Sequence, residues 1–218
     1  MPIVTRLGRT ALRERLQAQR VVPVLRLASG EETRLAVDCL VEAGFACVEL
    51  TLTTPGAAEL IAELRARMGT EISIGAGTVL DLASAERCIV AGADFIVAPC
   101  LVPGLAVRAH AAGRIALIGG YTPGEVLAAS REGADIVKVF PASSGGPAHL
   151  GAIHAVFPQI ALCPTGGVSI ANMKEYFAAG AAIVGVGNNI IDVAALRAGE
   201  RSRVIKHARK YLDAEKYI

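Results

Sequence analysis

Ala91-Gly92-Ala93-Asp94, followed by the apolar run from Phe95 to Cys100, reads as the last turn of a helix, a glycine stop and a short strand. A glycine just past a helix takes the left-handed conformation that ends it, and a strand begins two or three residues later. The same joint recurs as Glu42-Ala43-Gly44-Phe45, Glu132-Gly133-Ala134-Asp135 and Ala179-Gly180-Ala181-Ala182. Helix stops at Gly44, Gly69, Gly92, Gly113, Gly133, Pro158 and Gly180 are separated by 25, 23, 21, 20, 25 and 22 residues. One strand-helix unit is being repeated along the chain.

Eight short runs rich in Val and Ile fit the strand slots: Val21 to Leu27, Cys47 to Leu52, Ile72 to Val79, Phe95 to Cys100, Ile115 to Gly120, Ile136 to Pro141, Ile160 to Gly167 and Ala182 to Gly187. Each precedes an amphipathic stretch of roughly 10 to 15 residues, the pattern of a parallel sheet built from βα units. Eight units without a Pro-rich or Gly-Ser linker predict an α/β fold, a single (β/α)8 TIM barrel spanning residues 1–218 as one domain. The segment before residue 20 becomes an extra N-terminal helix that closes the bottom. A doubly wound open sheet is the alternative, but it calls for G-x-G-x-x-G after the first strand. Leu25-Arg26-Leu27-Ala28-Ser29 does not match.

Composition narrows the function classes. Among 218 residues, 22 basic and 20 acidic side chains leave a net charge of +2, without the basic face of a nucleic-acid binder. A hydrophobic fraction of 53% excludes disorder. With no Trp and 23 Gly, the core must be built from small aliphatic side chains, which suits helices packed on parallel strands. Arg6, Arg9, Arg13, Glu14 and Arg15 break up the first 19 residues, unlike a signal peptide, and prolines and glycines punctuate the charge-free stretch from Val139 to Met173, unlike a membrane span. A cytoplasmic protein without membrane or nucleic-acid partners is expected. The cysteines at 39, 47, 88, 100 and 163 lack C-x-x-C spacing and sit among apolar residues, so all five are expected in the core.

Polar residues inside barrel strands are costly, so the exceptions inform. In the second strand Val48, Leu50 and Leu52 make one face, while Glu49, Thr51 and Thr53 make the other. In the sixth, Lys138 interrupts Ile136-Val137 and Val139-Phe140-Pro141. Burying an amine favours its neutral form, a candidate Schiff-base nucleophile. A strand lysine is ordinarily an edge or snorkelling residue, but a closed barrel has no edge. Strands two and six face each other across an eight-strand ring and, both being even, feed the same interior layer. Glu49 and Lys138 can therefore meet, either as a buried structural ion pair or as a lysine nucleophile with a carboxylate acid/base.

Other polar positions gather at strand ends. Arg26 ends the first strand, Thr78 follows Gly75-Ala76-Gly77, Thr165-Gly166-Gly167 ends the seventh, and Gly185-Val186-Gly187-Asn188 ends the eighth. Loops after strands seven and eight commonly hold a phosphate through backbone N–H groups, and glycines permit close approach; they also make plain tight turns. His110, His149, His154 and His207 all fall in helical stretches without metal-ligand spacing, so no metal or other cofactor is expected.

Taken in order, Val21-Val22-Pro23-Val24-Leu25-Arg26, the stretch from Val48 to Pro55, Gly75-Ala76-Gly77-Thr78-Val79, Val97-Ala98-Pro99, Val137-Lys138-Val139-Phe140-Pro141-Ala142 and Cys163-Pro164-Thr165-Gly166-Gly167-Val168 resemble the class I 2-keto-3-deoxy-6-phosphogluconate (KDPG) and 4-hydroxy-2-oxoglutarate aldolases, over nearly the whole chain. The resemblance implies a metal-independent lyase that cleaves KDPG to pyruvate and glyceraldehyde 3-phosphate, with Lys138 as Schiff-base lysine and Glu49 as acid/base. It implies that Thr78 binds the pyruvate carboxylate, that Pro99 and Phe140 wall the lysine, and that Gly166, Gly167 and Asn188 hold the phosphate. Some members have an Arg where this chain has Thr53, while Arg26 matches others and is expected to supply the carboxylate- or phosphate-binding cation instead. Where a Ser is common after strand eight, Asn188 stands here, with an amide that can still donate.

The same family includes aldolases for the C4 epimer, 2-keto-3-deoxy-6-phosphogalactonate. Thr165 matches the gluconate type, whereas Ser143-Ser144-Gly145-Gly146-Pro147 leans to the galactonate type. The resemblance also implies a homotrimer acting on small phosphorylated 2-keto acids and pyruvate. A sugar-phosphate isomerase or epimerase, with Glu49 as base and Lys138 as electrostatic stabiliser, is the competing chemistry on the same barrel.

Overall fold

The computed structural model describes residues 6–215. In chain order they form α1 (Arg9–Gln19), β1 (Val21–Leu25), α2 (Gly30–Ala43), β2 (Cys47–Thr51), α3 (Ala57–Met68), β3 (Ser73–Gly77), α4 (Leu82–Ala91), β4 (Phe95–Val97) and α5 (Leu105–Ala111). There follow β5 (Ile115–Gly120), α6 (Pro123–Arg131), β6 (Ile136–Val139), α7 (Gly146–Val156), β7 (Leu162–Pro164), α8 (Met173–Ala178), β8 (Val184–Val186), α9 (Val193–Arg197) and α10 (Arg201–Glu215).

Local chemistry sets these boundaries. Ser29 and Asp81 accept hydrogen bonds from the backbone N–H groups of Glu32 and Ser84 at the starts of α2 and α4, and Thr122 with Glu125 forms a capping box on α6. Gly44 and Gly92, in left-handed conformation, end α2 and α4. Two aspartates of the repeated joint are used alike, Asp94 accepting from Ile74 N–H and Asp135 from Ala116 N–H, both at 2.9 Å. Each therefore ties the start of one strand to its neighbour.

All eight strands are parallel, in the order β7-β6-β5-β4-β3-β2-β1-β8. The bridges Leu162–Ala181 and Thr165–Gly185 join β7 to β8, so the ring is nearly closed and the fold is a (β/α)8 barrel. Every strand pairs with its neighbours in sequence, and β1 with β8, which excludes the doubly wound alternative. The hydrophobic residues divide into two bodies. Val48, Leu50, Ile74 and Ile96 point outward to the helices, whereas Cys47, Phe95, Ile115, Leu117 and Cys163 fill the interior together with Leu12 and Leu16 of α1. The N-terminal helix is thus the bottom plug. It is fixed further by Gln19, whose Oε1 accepts from Cys47 N–H at 2.7 Å while its Nε2 donates to Val21 O at 2.7 Å.

Two expectations need correction. Several strands stop short, at Leu25 instead of Leu27, Val97 instead of Cys100 and Pro164 instead of Gly167, because the apolar runs continue into loops after ladder pairing ends. Cys100 lies in one such loop and is exposed, while Cys39, Cys47, Cys88 and Cys163 are buried. Burial pushes the Cys47 thiol up to about 12 and the Cys88 and Cys163 thiols up to about 11, so they hold their protons at neutral pH. Iodoacetamide applied to the native protein should label Cys100 first, read by peptide mass; equal labelling of Cys47 or Cys163 would contradict this packing.

Candidate active site

At the C-terminal mouth of the barrel a cavity of about 410 Å³ opens between strand ends. Glu49 and Lys138 form its floor. Lys138 Nζ lies 3.6 Å from Glu49 Oε1, with both side chains almost fully buried. Lys138 Nζ also lies over the Phe140 ring, 5.5 Å from its centroid. Glu49 Oε1 has no hydrogen-bond partner among the described residues. Burial raises the Glu49 carboxyl above the usual carboxylate range, while Lys138 and then Arg26 pull it back. The floor therefore offers an amine beside a carboxyl, both almost fully removed from solvent.

The strand register explains how the carboxylate reaches this place. Glu49 pairs with Gly75, and Gly77 lies two residues further on, beneath the carboxylate. A Cβ at Gly77 would overlap Glu49 Oε1, Cδ and Cγ, so only glycine leaves the carboxylate its present position. Gly77→Ala should therefore lower turnover by roughly 10²-fold, the scale of an ångström of misplacement, and cost about 1–3 kcal/mol of stability through overpacking. Turnover within twofold of wild type would show that the carboxylate tolerates the shift.

Ten of the eleven residues singled out from sequence line this cavity: Arg26, Glu49, Thr78, Pro99, Lys138, Phe140, Thr165, Gly166, Gly167 and Asn188. Thr53 does not. β2 ends at Thr51 and the chain turns, with Thr54 N–H donating to Thr51 O, so the in-out alternation no longer governs position 53. Thr53 is exposed and faces an adjoining cavity, its hydroxyl 2.8 Å from that of Thr51. The Thr51 hydroxyl also donates to Leu25 O, bracing β1 against β2 beside Glu49. Thr51 was within reach from sequence, since it shares the inward face with Glu49, and so was Asn189, the polar neighbour of Asn188; Val24 and Val168, which also line the cavity, carried no polar or spacing signal.

Thr78 has φ +59, a left-handed conformation that is a true outlier for a β-branched residue. Such strain concentrates where a side chain must be aimed, and Thr78 stands at the rim between the two cavities. Opposite it, Gly166 and Gly167 adopt φ +89 and +83. The backbone N–H groups of Gly166, Gly167, Gly187 and Asn189 donate to no described residue, which leaves a set of free donors at the ends of β7 and β8. Asn188 is engaged differently from expectation: its side-chain amide is bonded to the backbone of Arg26. Among the described residues no three His, Cys, Asp or Glu converge as metal ligands, and no helix is long and apolar enough to cross a membrane.

The family model described as KDPG and KHG aldolase matches residues 12–207. The KHG/KDPG aldolase of Escherichia coli K12 is 35% identical over 198 residues, 90% of this chain and 92% of that protein. The probable 2-dehydro-3-deoxy-6-phosphogalactonate aldolase of Rhizobium meliloti is 33% identical over 192 residues, 88% of this chain and 91% of that protein. Among solved structures, KDPG aldolase from Legionella pneumophila, with pyruvate captured as a covalent carbinolamine, superposes with a TM-score of 0.83 at 28% identity, covering 91% of this chain and 97% of that one. With a buried amine and carboxyl at the mouth of the same barrel, this chain belongs to the KDPG and KHG aldolase family and is a carbon–carbon lyase.

Proposed function

We propose that the protein is a Schiff-base aldolase that cleaves KDPG to pyruvate and glyceraldehyde 3-phosphate. The observation that carries this reading is the buried Lys138 amine 3.6 Å from the Glu49 carboxyl, on the floor of the cavity. The neutral Lys138 amine adds to the C2 ketone, and a proton passed from the Glu49 carboxyl to the carbinolamine hydroxyl lets it leave as water, giving an iminium and the Glu49 carboxylate. Glu49, as carboxylate, takes the proton of the C4 hydroxyl while the C3–C4 bond breaks. The bond's electron pair moves into the iminium, giving an enamine and the free aldehyde. Glu49 then returns its proton to C3, and water adds to the resulting iminium to release pyruvate and the amine.

Around this pair, Thr78 receives the carboxylate of the pyruvyl part, and Pro99, Phe140 and Thr165 wall the lysine. Gly166 and Gly167 present free N–H groups to the phosphate at the far end. The same reading has residues 1–218 acting as one domain, in a cytoplasmic homotrimer that needs no cofactor. A second substrate, the C4 epimer 2-keto-3-deoxy-6-phosphogalactonate, is favoured by the similarity to the Rhizobium meliloti relative.

Pyruvate release from the two epimeric phosphorylated acids and from 4-hydroxy-2-oxoglutarate decides among these. The gluconate epimer should give the highest kcat/KM, and a higher value for the galactonate epimer would reassign the substrate. Proton exchange into an intact sugar phosphate, without pyruvate or a lysine adduct, would identify an isomerase instead.

A further inference from the structure

Asn188 sits just beyond β8, where the ladder with β1 has already ended; the last paired residues are Pro23 and Val186. Its side-chain amide continues the pairing in place of backbone. Oδ1 accepts from Arg26 N–H at 3.0 Å, and Nδ2 donates to Arg26 O at 2.6 Å. Both polar groups of the Arg26 peptide backbone are thereby held, although Arg26 lies outside any strand.

Arg26 itself is the cation of the cavity wall. Its charge reaches Glu49, yet its guanidinium has no ion-pair partner among the described residues. An unpaired guanidinium on a cavity wall is available to an anionic ligand group. The residue that clamps Arg26 lies between Gly187 and Asn189, whose N–H groups are also free. One loop therefore both presents donors and fixes the root of the arginine.

We propose that Asn188 is a positioning residue: it holds the Arg26 backbone so that the guanidinium joins the free N–H groups of the β7 and β8 loops in gripping the phosphate end of the ligand. The natural ligand's identity rests on the aldolase reading, whereas the phosphate contact can be measured without turnover. With one amide hydrogen committed to Arg26 O, Asn188 contributes more through Arg26 than by touching phosphate.

The test is a double-mutant cycle on the Kd of glycerol 3-phosphate, measured by calorimetry for wild type, Arg26→Met, Asn188→Ala and the double variant. Arg26→Met should weaken binding about tenfold, Asn188→Ala should lose most of that, and the double variant should be within about twofold of Arg26→Met alone. Losses that multiply, wild-type affinity in Asn188→Ala, or no binding by the wild type would each overturn the proposal. Asn188→Ser, too short to span both Arg26 groups, should show the same loss and serves if the alanine variant does not fold; wild-type affinity there counts against the proposal equally. In the cleavage reaction Asn188→Ala should raise KM for the phosphorylated acid about tenfold with kcat within about twofold, and a fall in kcat at constant KM would overturn it. Borohydride trapping of pyruvate by the wild type reports on the aldolase reading separately: without an adduct that reading fails, and the glycerol 3-phosphate cycle still decides the role of Asn188.

Discussion

Lys138→Ala should lower kcat for pyruvate release by roughly 10⁴-fold or more and remove the borohydride-stabilised adduct with pyruvate. The size of the loss follows from what the amine supplies. Without an iminium, the electron pair of the breaking C3–C4 bond has only a neutral ketone to enter. Among the described residues no other lysine can substitute: Lys174, Lys206 and Lys210 are exposed on helices, whereas Lys138 alone reaches the cavity. Lys138→Arg separates nucleophile from charge. A guanidinium keeps the positive charge at neutral pH but has no free lone pair, so it should be as inactive as alanine. Substantial turnover by the arginine variant would mean that position 138 works as an electrostatic stabiliser, the isomerase chemistry. The fold should survive either change. Glu49 already leans toward its neutral form through burial, and with Lys138 gone it can take up a proton instead of standing as an uncompensated charge.

Much of this was legible in the sequence because the barrel is a repeat. The helix stops from Gly44 to Gly180 recur every 20 to 25 residues and mark helix ends whatever the tertiary context, and the Val- and Ile-rich runs alternate with them. Lys138 and Glu49 were visible as charges in the wrong place, on strands that the count alone sets opposite each other. What the sequence hid depends on cross-strand register or on loop geometry. That Gly77 underlies the Glu49 carboxylate requires knowing that Glu49 pairs with Gly75. Thr53 was assigned inward by an alternation that ends with β2 at Thr51, and Cys100 was assigned to the core from an apolar run that outlasts β4. Asn188 looked like a phosphate donor because its amide can donate; that its partner is the backbone of Arg26, 162 residues away, is a fact of barrel closure. The buried cluster of Arg65, Asp94 and Arg114 at the barrel bottom was likewise unread, since its members come from three different units.

Glu49→Gln should leave pyruvate able to form the Lys138 adduct yet slow cleavage by roughly 10² to 10⁴-fold, the usual contribution of a positioned acid/base. The amide keeps the shape of the side chain but cannot accept the C4 hydroxyl proton or return it to C3. The pH profile ties the loss to this group. Burial, opposed by Lys138 and Arg26, holds the carboxyl above the usual carboxylate range. Because the carboxylate is the working form, kcat/KM should rise with pH through that raised value, giving an acid limb displaced upward from an ordinary glutamate. Arg26→Met removes one attraction that favours the carboxylate and should move the limb to still higher pH. The same proton affects stability with a definite sign: the folded state holds it more tightly than the unfolded state. The contribution of Glu49 to stability is therefore present below the ordinary carboxylate value and lost as pH rises through the folded one. Glu49→Gln should lack both the acid limb and that decline, measured by rate profiles and by melting across the acidic range. An acid limb that persists unchanged in Glu49→Gln would assign it to another group and take Glu49 out of the proton transfer.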